Sequence, residues 1–233
     1  MSEPTSDRPR SAGPSALASL QVFARAAVDV APGQEHVEIY TPHGLLTLHV
    51  TRPDQPPRAA IVACGGAMGG VLGPGHALYH RLGREWATRG VATYRVGYRV
   101  PNDLDRCAHD VACGVETAVH EGAERVVVMG HSFGGAVAIR VAVVMTEEVH
   151  GVVTFATQSA GCEVAGALAG RPLLLFHGER DELLPMQSSE IVRMIAGSGE
   201  LVVLPNDGHL LGRSDDVIVE RLEEWLPVVL GLP

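Results

Sequence analysis

The chain changes its hydrophobic rhythm several times, and each change marks an element. Between residues 36 and 50, apolar and polar residues alternate. His36-Val37-Glu38-Ile39-Tyr40 and Leu46-Thr47-Leu48-His49-Val50 read as two half-buried strands joined by a turn at Pro42-His43-Gly44. Ahead of them, apolar residues at Leu17, Leu20, Phe23 and Ala27 suggest a short helix within residues 15–30. Beyond Pro56-Pro57 the alternation stops, and residues 59–64 form a wholly apolar run, as in a strand buried on both faces. A glycine-rich loop at 65–75 leads into a helical stretch ending near Gly90. Strands at 91–96, 125–129, 152–156, 172–176 and 201–204 then alternate with helices at about 103–121, 133–145, 185–196 and 215–229. The pattern predicts an α/β fold: a mostly parallel twisted sheet with helices on both faces, joined by right-handed crossovers. Ligands of such sheets collect at the carboxyl ends of the strands. The connection between the strands at 152–156 and 172–176 is too short for a helical cap domain, so the site is expected to open to solvent.

Composition narrows the function. A chain of 233 residues suits one domain, residues 15–233, behind a Ser-, Pro- and Arg-rich tail at 1–14 that is expected to be mobile. The chain has no lysine, so all 18 basic residues are arginine, which excludes a Schiff-base lysine, a Walker-A lysine and a Ser-Lys dyad. A net charge of -9 without a basic cluster argues against nucleic acid or an anionic membrane as partner. Cys64, Cys107, Cys113 and Cys162 have neither C-x-x-C nor disulfide-framework spacing and read as buried or free thiols of a reducing compartment. With no export signal and no membrane-length apolar run, a cytoplasmic location is expected. No cofactor or metal is expected: His76 and His80 have helical spacing, but Ala77 stands where a zinc protease would carry its glutamate.

The strongest local signal is Gly130-His131-Ser132-Phe133-Gly134-Gly135, directly after one predicted strand and before a helix. Gly-x-Ser-x-Gly in that position turns sharply and lifts a serine hydroxyl clear of the backbone. With 27 glycines in the chain, the position carries more weight than the pattern. A dinucleotide loop is disfavoured, because Ser132 would stand where the pyrophosphate needs a glycine. Serine needs a base, and the base an orienting group. Two later apolar strands each end in a short polar loop, His177-Gly178-Glu179-Arg180-Asp181 and Pro205-Asn206-Asp207-Gly208-His209. The reading is Ser132 as nucleophile, His209 as base and Asp181 as the orienting acid. Glu179, Glu182 and Asp207 compete for the last role, Asp207 being too close to His209 in sequence to reach its far nitrogen easily. His131 is expected to point away from the site, and His177 to brace the acid loop.

In these three motifs, in the order Ser, Asp, His, the chain resembles the α/β-hydrolase family, on the small, cap-less side that includes dienelactone-hydrolase-like enzymes. The resemblance spans about residues 36–230; His177 to Pro185 is similar to the family's acid loop, and Gly208-His209 to its histidine loop. It implies a serine hydrolase acting on a small-molecule acyl substrate, an ester or thioester, with activity that falls in acid as the base is protonated. The alternatives are a catalytically silent binding protein on the same fold, or an acyltransferase using the same triad. One oxyanion donor is expected at the Phe133 amide and the second at Gly66 or Ala67. Family members often begin that second loop with His-Gly; here Cys64 or Gly65 stands in the histidine position. Met68, Leu184 and Leu210 are candidate apolar walls, Gln158 is a candidate polar contact, and Tyr98, Arg99 and Asn102 read as surface structure.

Overall fold

The apolar run of residues 59–64 forms β4 (Ala59–Cys64), and the burial of its alternate side chains shows why no polar residue interrupts it. Ala60, Val62 and Cys64 pack into one hydrophobic cluster, Ala59, Ile61 and Ala63 into another on the opposite face of the sheet. The structure is a computed structural model describing residues 15–232, so the tail expected at 1–14 lies outside the described residues.

Three strands, β1 (Ala24–Ala31), β2 (Gln34–Thr41) and β3 (Gly44–Thr51), form an antiparallel meander at one end of the sheet. Six more follow: β4, β5 (Val91–Gly97), β6 (Arg125–His131), β7 (Val149–Phe155), β8 (Leu173–Gly178) and β9 (Glu200–Leu204). The order across the sheet is β1-β2-β3-β5-β4-β6-β7-β8-β9, antiparallel up to β5 and parallel from there on. The chain reverses its winding at β4, whose neighbours are β5 and β6. Such a reversal opens a crevice at the carboxyl ends of the strands.

Helices cover both faces. On one lie α3 (Leu104–His120) and α4 (Phe133–Val144), packed on Val62, Val96 and Val128. On the other lie α2 (Leu78–Ala87) and α6 (Asp215–Leu230), whose Trp86, Leu222 and Leu226 meet Ile61 and Met129. α5 (Gln187–Ala196) packs on β8, β9 and the 3-10 turn Glu163–Leu168. That single 3-10 turn lies between β7 and β8, so no cap stands over the sheet there.

The amino-terminal expectation needs correction. Only Ala16–Ser19 is helical (α1), capped by the Ser15 hydroxyl and held by Glu116, which accepts from the Ser15 hydroxyl and from the amides of Ala16 and Leu17. Gln21 takes a positive φ of 53°, and the segment predicted to continue as helix instead pairs as β1 with β2. Its side chains are almost all exposed, so no helical stripe had a core to enter. Ladder hydrogen bonds to the edge of β2 decide its conformation. His76 likewise lies ahead of α2, next to a left-handed Ala77, and does not share a helix face with His80. Among the described residues, no three His, Cys, Asp or Glu side chains are placed to hold a metal ion, and no helix is long and apolar enough to cross a membrane. All four cysteines are buried free thiols, and burial pushes Cys64 up to about 12.

Candidate active site

Ser132 follows β6 without a spacer and caps α4, with φ 57° and ψ -120°. A non-glycine residue pays roughly 1–3 kcal/mol for such a conformation. Two hydrogen bonds help hold it: the Ser132 amide donates to Phe155 O (2.8 Å), and Ser132 O accepts from the Gly135 amide (3.0 Å). The flanking glycines are steric requirements. A Cβ on Gly130 would overlap the Gly134 carbonyl, and one on Gly134 would overlap the Gly65 carbonyl.

The acid loop after β8 and the histidine loop after β9 meet beside this turn. Asp181 Oδ2 lies 2.8 Å from His209 Nδ1, with the carboxylate fully buried and the imidazole nearly so. Its Oδ1 accepts the amides of Leu183 (2.9 Å) and Leu184 (2.8 Å). Burial raises the Asp181 carboxyl, but the Leu184 amide, the His209 ring and the Leu183 amide outweigh it and hold the group below the ordinary carboxylate range. The competing acids are engaged elsewhere. Asp207 accepts the amides of Gly208, Arg213 and Ser214, Glu179 that of Asn206, and Glu182 that of His209. Because Nδ1 of His209 faces a carboxylate, the neutral ring carries its proton there and leaves Nε2 as an acceptor.

Ser132 and His209 share the wall of one cleft of about 460 Å³, whose remaining wall is largely the loop from Gly65 to Gly73. Among the described residues no hydrogen bond joins the Ser132 hydroxyl to His209. His131 does not point away as the sequence suggested. Its ring lines the cleft, its centroid is 5.0 Å from that of His209, and its Nε2 donates to His209 O at 3.0 Å. It thus ties the histidine loop to the turn at Ser132.

The loop after β4 is held carbonyl by carbonyl. Tyr79 Oη donates to Cys64 O (3.2 Å), Tyr98 Oη to Gly65 O (3.0 Å) and the Gly69 amide to Gly66 O (2.9 Å). In a trans peptide the C=O of one residue and the N–H of the next point in opposite directions. Fixing the Gly65 carbonyl therefore fixes the direction of the Gly66 N–H. Gly66 sits against Ser132: a Cβ there would lie 3.5 Å from Ser132 Cβ. Ala67 lines the cleft one residue further on. Phe133 begins α4, so its N–H has no intrahelical acceptor. Tyr98 is buried, contrary to its surface reading, and the neighbouring Arg99 forms a buried ion pair with Asp110. No motif marked Tyr98; only its place at the end of β5, beside β4, hinted at this loop.

A family model described as the alpha/beta hydrolase family matches residues 74–195, just over half of the chain. The chain is an α/β hydrolase. Among curated proteins, none matches it. In fold, the hydrolase is similar to Est1E from Butyrivibrio proteoclasticus, with a TM-score of 0.70 and 16% identity over 84% of this chain and 99% of that one. It is similar to a dienelactone hydrolase from Anabaena variabilis, with a TM-score of 0.70 and 17% identity over 83% and 96% of the two chains. It is also similar to Thermogutta terrifontis esterase 2, described as phosphorylated by paraoxon, with a TM-score of 0.67 and 18% identity over 86% and 96%.

The remaining wall residues of the hydrolase separate into two groups. Met68 and Leu210 line the cleft. Leu184 does not; it is half-buried, and its backbone serves Asp181 and His177, while the neighbouring Leu183 lines the cleft in its place. Gln158 also lies outside the cleft lining, its side-chain amide donating to Ala160 O at 2.8 Å within its own loop.

Proposed function

We propose that this hydrolase is a serine esterase or thioesterase that cleaves uncharged, apolar acyl substrates through an acyl-enzyme on Ser132. The observation that carries the reading is the 2.8 Å contact from Asp181 to Nδ1 of His209, which leaves Nε2 free to accept a proton in the cleft that Ser132 shares. Ser132 Oγ attacks the carbonyl carbon while His209 Nε2 takes its proton, and Asp181 stabilises the imidazolium. The Phe133 and Gly66 amides receive the charge developing on the carbonyl oxygen, with Ala67 next in line. The tetrahedral adduct collapses, His209 protonates the departing alkoxide or thiolate, and water, deprotonated by the same base, releases the acid and regenerates Ser132.

The cleft supports the substrate class. Among the described residues its lining contains no Arg, Asp or Glu, and its rim carries Met68, Leu183, Leu210 and Leu72, which are 94%, 68%, 64% and 54% exposed. Large apolar side chains gathered in the open around one crevice mark a surface that an apolar ligand covers.

A fluorophosphonate probe, or paraoxon as with the Thermogutta esterase, should label the chain, and Ser132→Ala should abolish labelling. Among p-nitrophenyl esters, kcat/KM should rise about tenfold from acetyl to hexanoyl, because added methylenes bury apolar area on the rim. A succinyl half-ester should be a poor substrate. Folded protein that no probe labels supports the binding-protein alternative, and product formed mainly with added alcohols or amines supports acyl transfer.

A further inference from the structure

Asp181 serves two imidazoles. Its Oδ2 lies 2.8 Å from His209 Nδ1 and also 3.1 Å from Nε2 of His177, near the end of β8. His177 and its other neighbour, Ser189 of α5, are fully buried. The proton position on His177 follows from its partners. Nε2 faces a carboxylate oxygen and the Leu184 carbonyl, the latter also at 3.1 Å, and neither has a proton to give. Nε2 must therefore carry the hydrogen, which it gives to the Leu184 carbonyl with the Asp181 carboxylate close beside it. Nδ1 lies 2.7 Å from Ser189 Oγ, so in the neutral ring it is the acceptor and the hydroxyl donates. Burial holds the His177 ring below the ordinary histidine range, which keeps it neutral near pH 7.

We propose that His177 and Ser189 extend the triad outward as positioning residues: Ser189 locks His177 as the Nε2–H tautomer, and His177 fixes Asp181 and draws part of its charge away from His209. The proposal rests on the serine-hydrolase reading above. Three hydrogen bonds hold the Asp181 carboxylate, from the amides of Leu183 and Leu184 and from His209, and the His177 N–H edge faces it at 3.1 Å as a fourth, electrostatic partner. Removing His177 leaves three, so more charge falls to His209 and its protonated form is favoured. The carboxylate also loses an anchor, and the base is held less well in line. Among the described residues, the other charged or titratable groups around His209 are His131 on the turn at Ser132, Glu182, which accepts the His209 amide at 3.2 Å, and Arg180, Asp207 and Arg213, which line an adjoining cleft with it. All stay in place throughout the test.

The test is kcat/KM against pH on a p-nitrophenyl ester, with the full chain and with His177→Leu, His177→Gln and Ser189→Ala. Labelling of the unaltered chain by the fluorophosphonate comes first; its absence removes the triad itself and this extension with it. With labelling secured, His177→Leu should move the acidic limb about half a unit to higher pH and lower kcat about tenfold. Ser189→Ala should move the limb in the same direction by less. His177→Gln, whose amide can still present an N–H to Asp181, should recover most of both losses. A merely structural role would lower the yield or Tm without moving the limb. Should His177→Leu not fold, Ser189→Ala and the 15N NMR signature of His177 decide the matter. An acidic limb unmoved in Ser189→Ala, or a His177 ring carrying its proton on Nδ1, overturns the proposal.

Discussion

Three of the eleven histidines gather around one carboxylate and one serine, and each has a different task set by what its nitrogens face. His209 faces a carboxylate with Nδ1, so Asp181→Asn should hold the ring in the wrong tautomer. We expect kcat to fall by three to four orders of magnitude, roughly, while the far-ultraviolet circular dichroism stays unchanged. His131 carries a stability consequence. Burial, only partly offset by its bond to the His209 carbonyl, lowers it from 6.5 to about 4. As pH falls, the unfolded chain takes up this proton before the folded one does. Stability is thus fully present above about 6.5, declines from there to about 4, and loses nothing further from this residue at lower pH. The drop should reach about 3 kcal/mol at most. Urea titrations at a series of pH values should show it, and His131→Gln should flatten the slope over that window; an equal slope in both proteins would refute the assignment.

At the level of elements, the loop after β4 depends on a strand that contributes no residue to the cleft wall. Tyr98, just beyond β5, holds the Gly65 carbonyl and so aims the Gly66 amide. Tyr98→Phe should cost about 1 kcal/mol of stability for the lost hydrogen bond. It should also lower kcat about tenfold with little change in KM, because the Gly66 amide, as the proposed oxyanion donor, acts in the transition state. Most elements were legible from pattern alone. β4 needed only its unbroken apolar run, and the alternation of β2 and β3 reported one buried face. β1 was not legible, because a strand whose side chains are nearly all exposed has no periodic signature, and its reason for existing is the neighbouring edge. Leu183 and Leu184 were indistinguishable in sequence. Which of them turns to the cleft depends on Asp181 capturing both amides, a three-dimensional fact. The orientation of His131 was missed for the same reason, since its partner is a backbone carbonyl in a loop far along the chain.

For the molecule as a whole, the absence of a cap among the described residues leaves the rim as the main apolar contact for the acyl chain proposed to bind there. Met68→Asp and Leu210→Asp should each lower kcat/KM for a hexanoyl ester about tenfold while leaving the acetyl ester nearly unaffected, since only the longer chain reaches the rim. Equal losses on both esters would mean the substitutions had disturbed the serine or its amides instead.

Among the described residues, the sheet has an unguarded border as well as an open crevice. There β1 presents a row of backbone donors and acceptors that no other described strand pairs with, with Val28 and Val30 in the open and Arg25 and Asp29 as its charged residues. Such a border is a template on which another strand can dock. Concentrated solutions of this protein should therefore self-associate through that rim, and replacing Val28 and Val30 with lysine should raise the concentration at which light scattering first climbs. Four other strands stand between β1 and the strand that carries the serine, so the associated material should still turn over ester at the rate of the monomer.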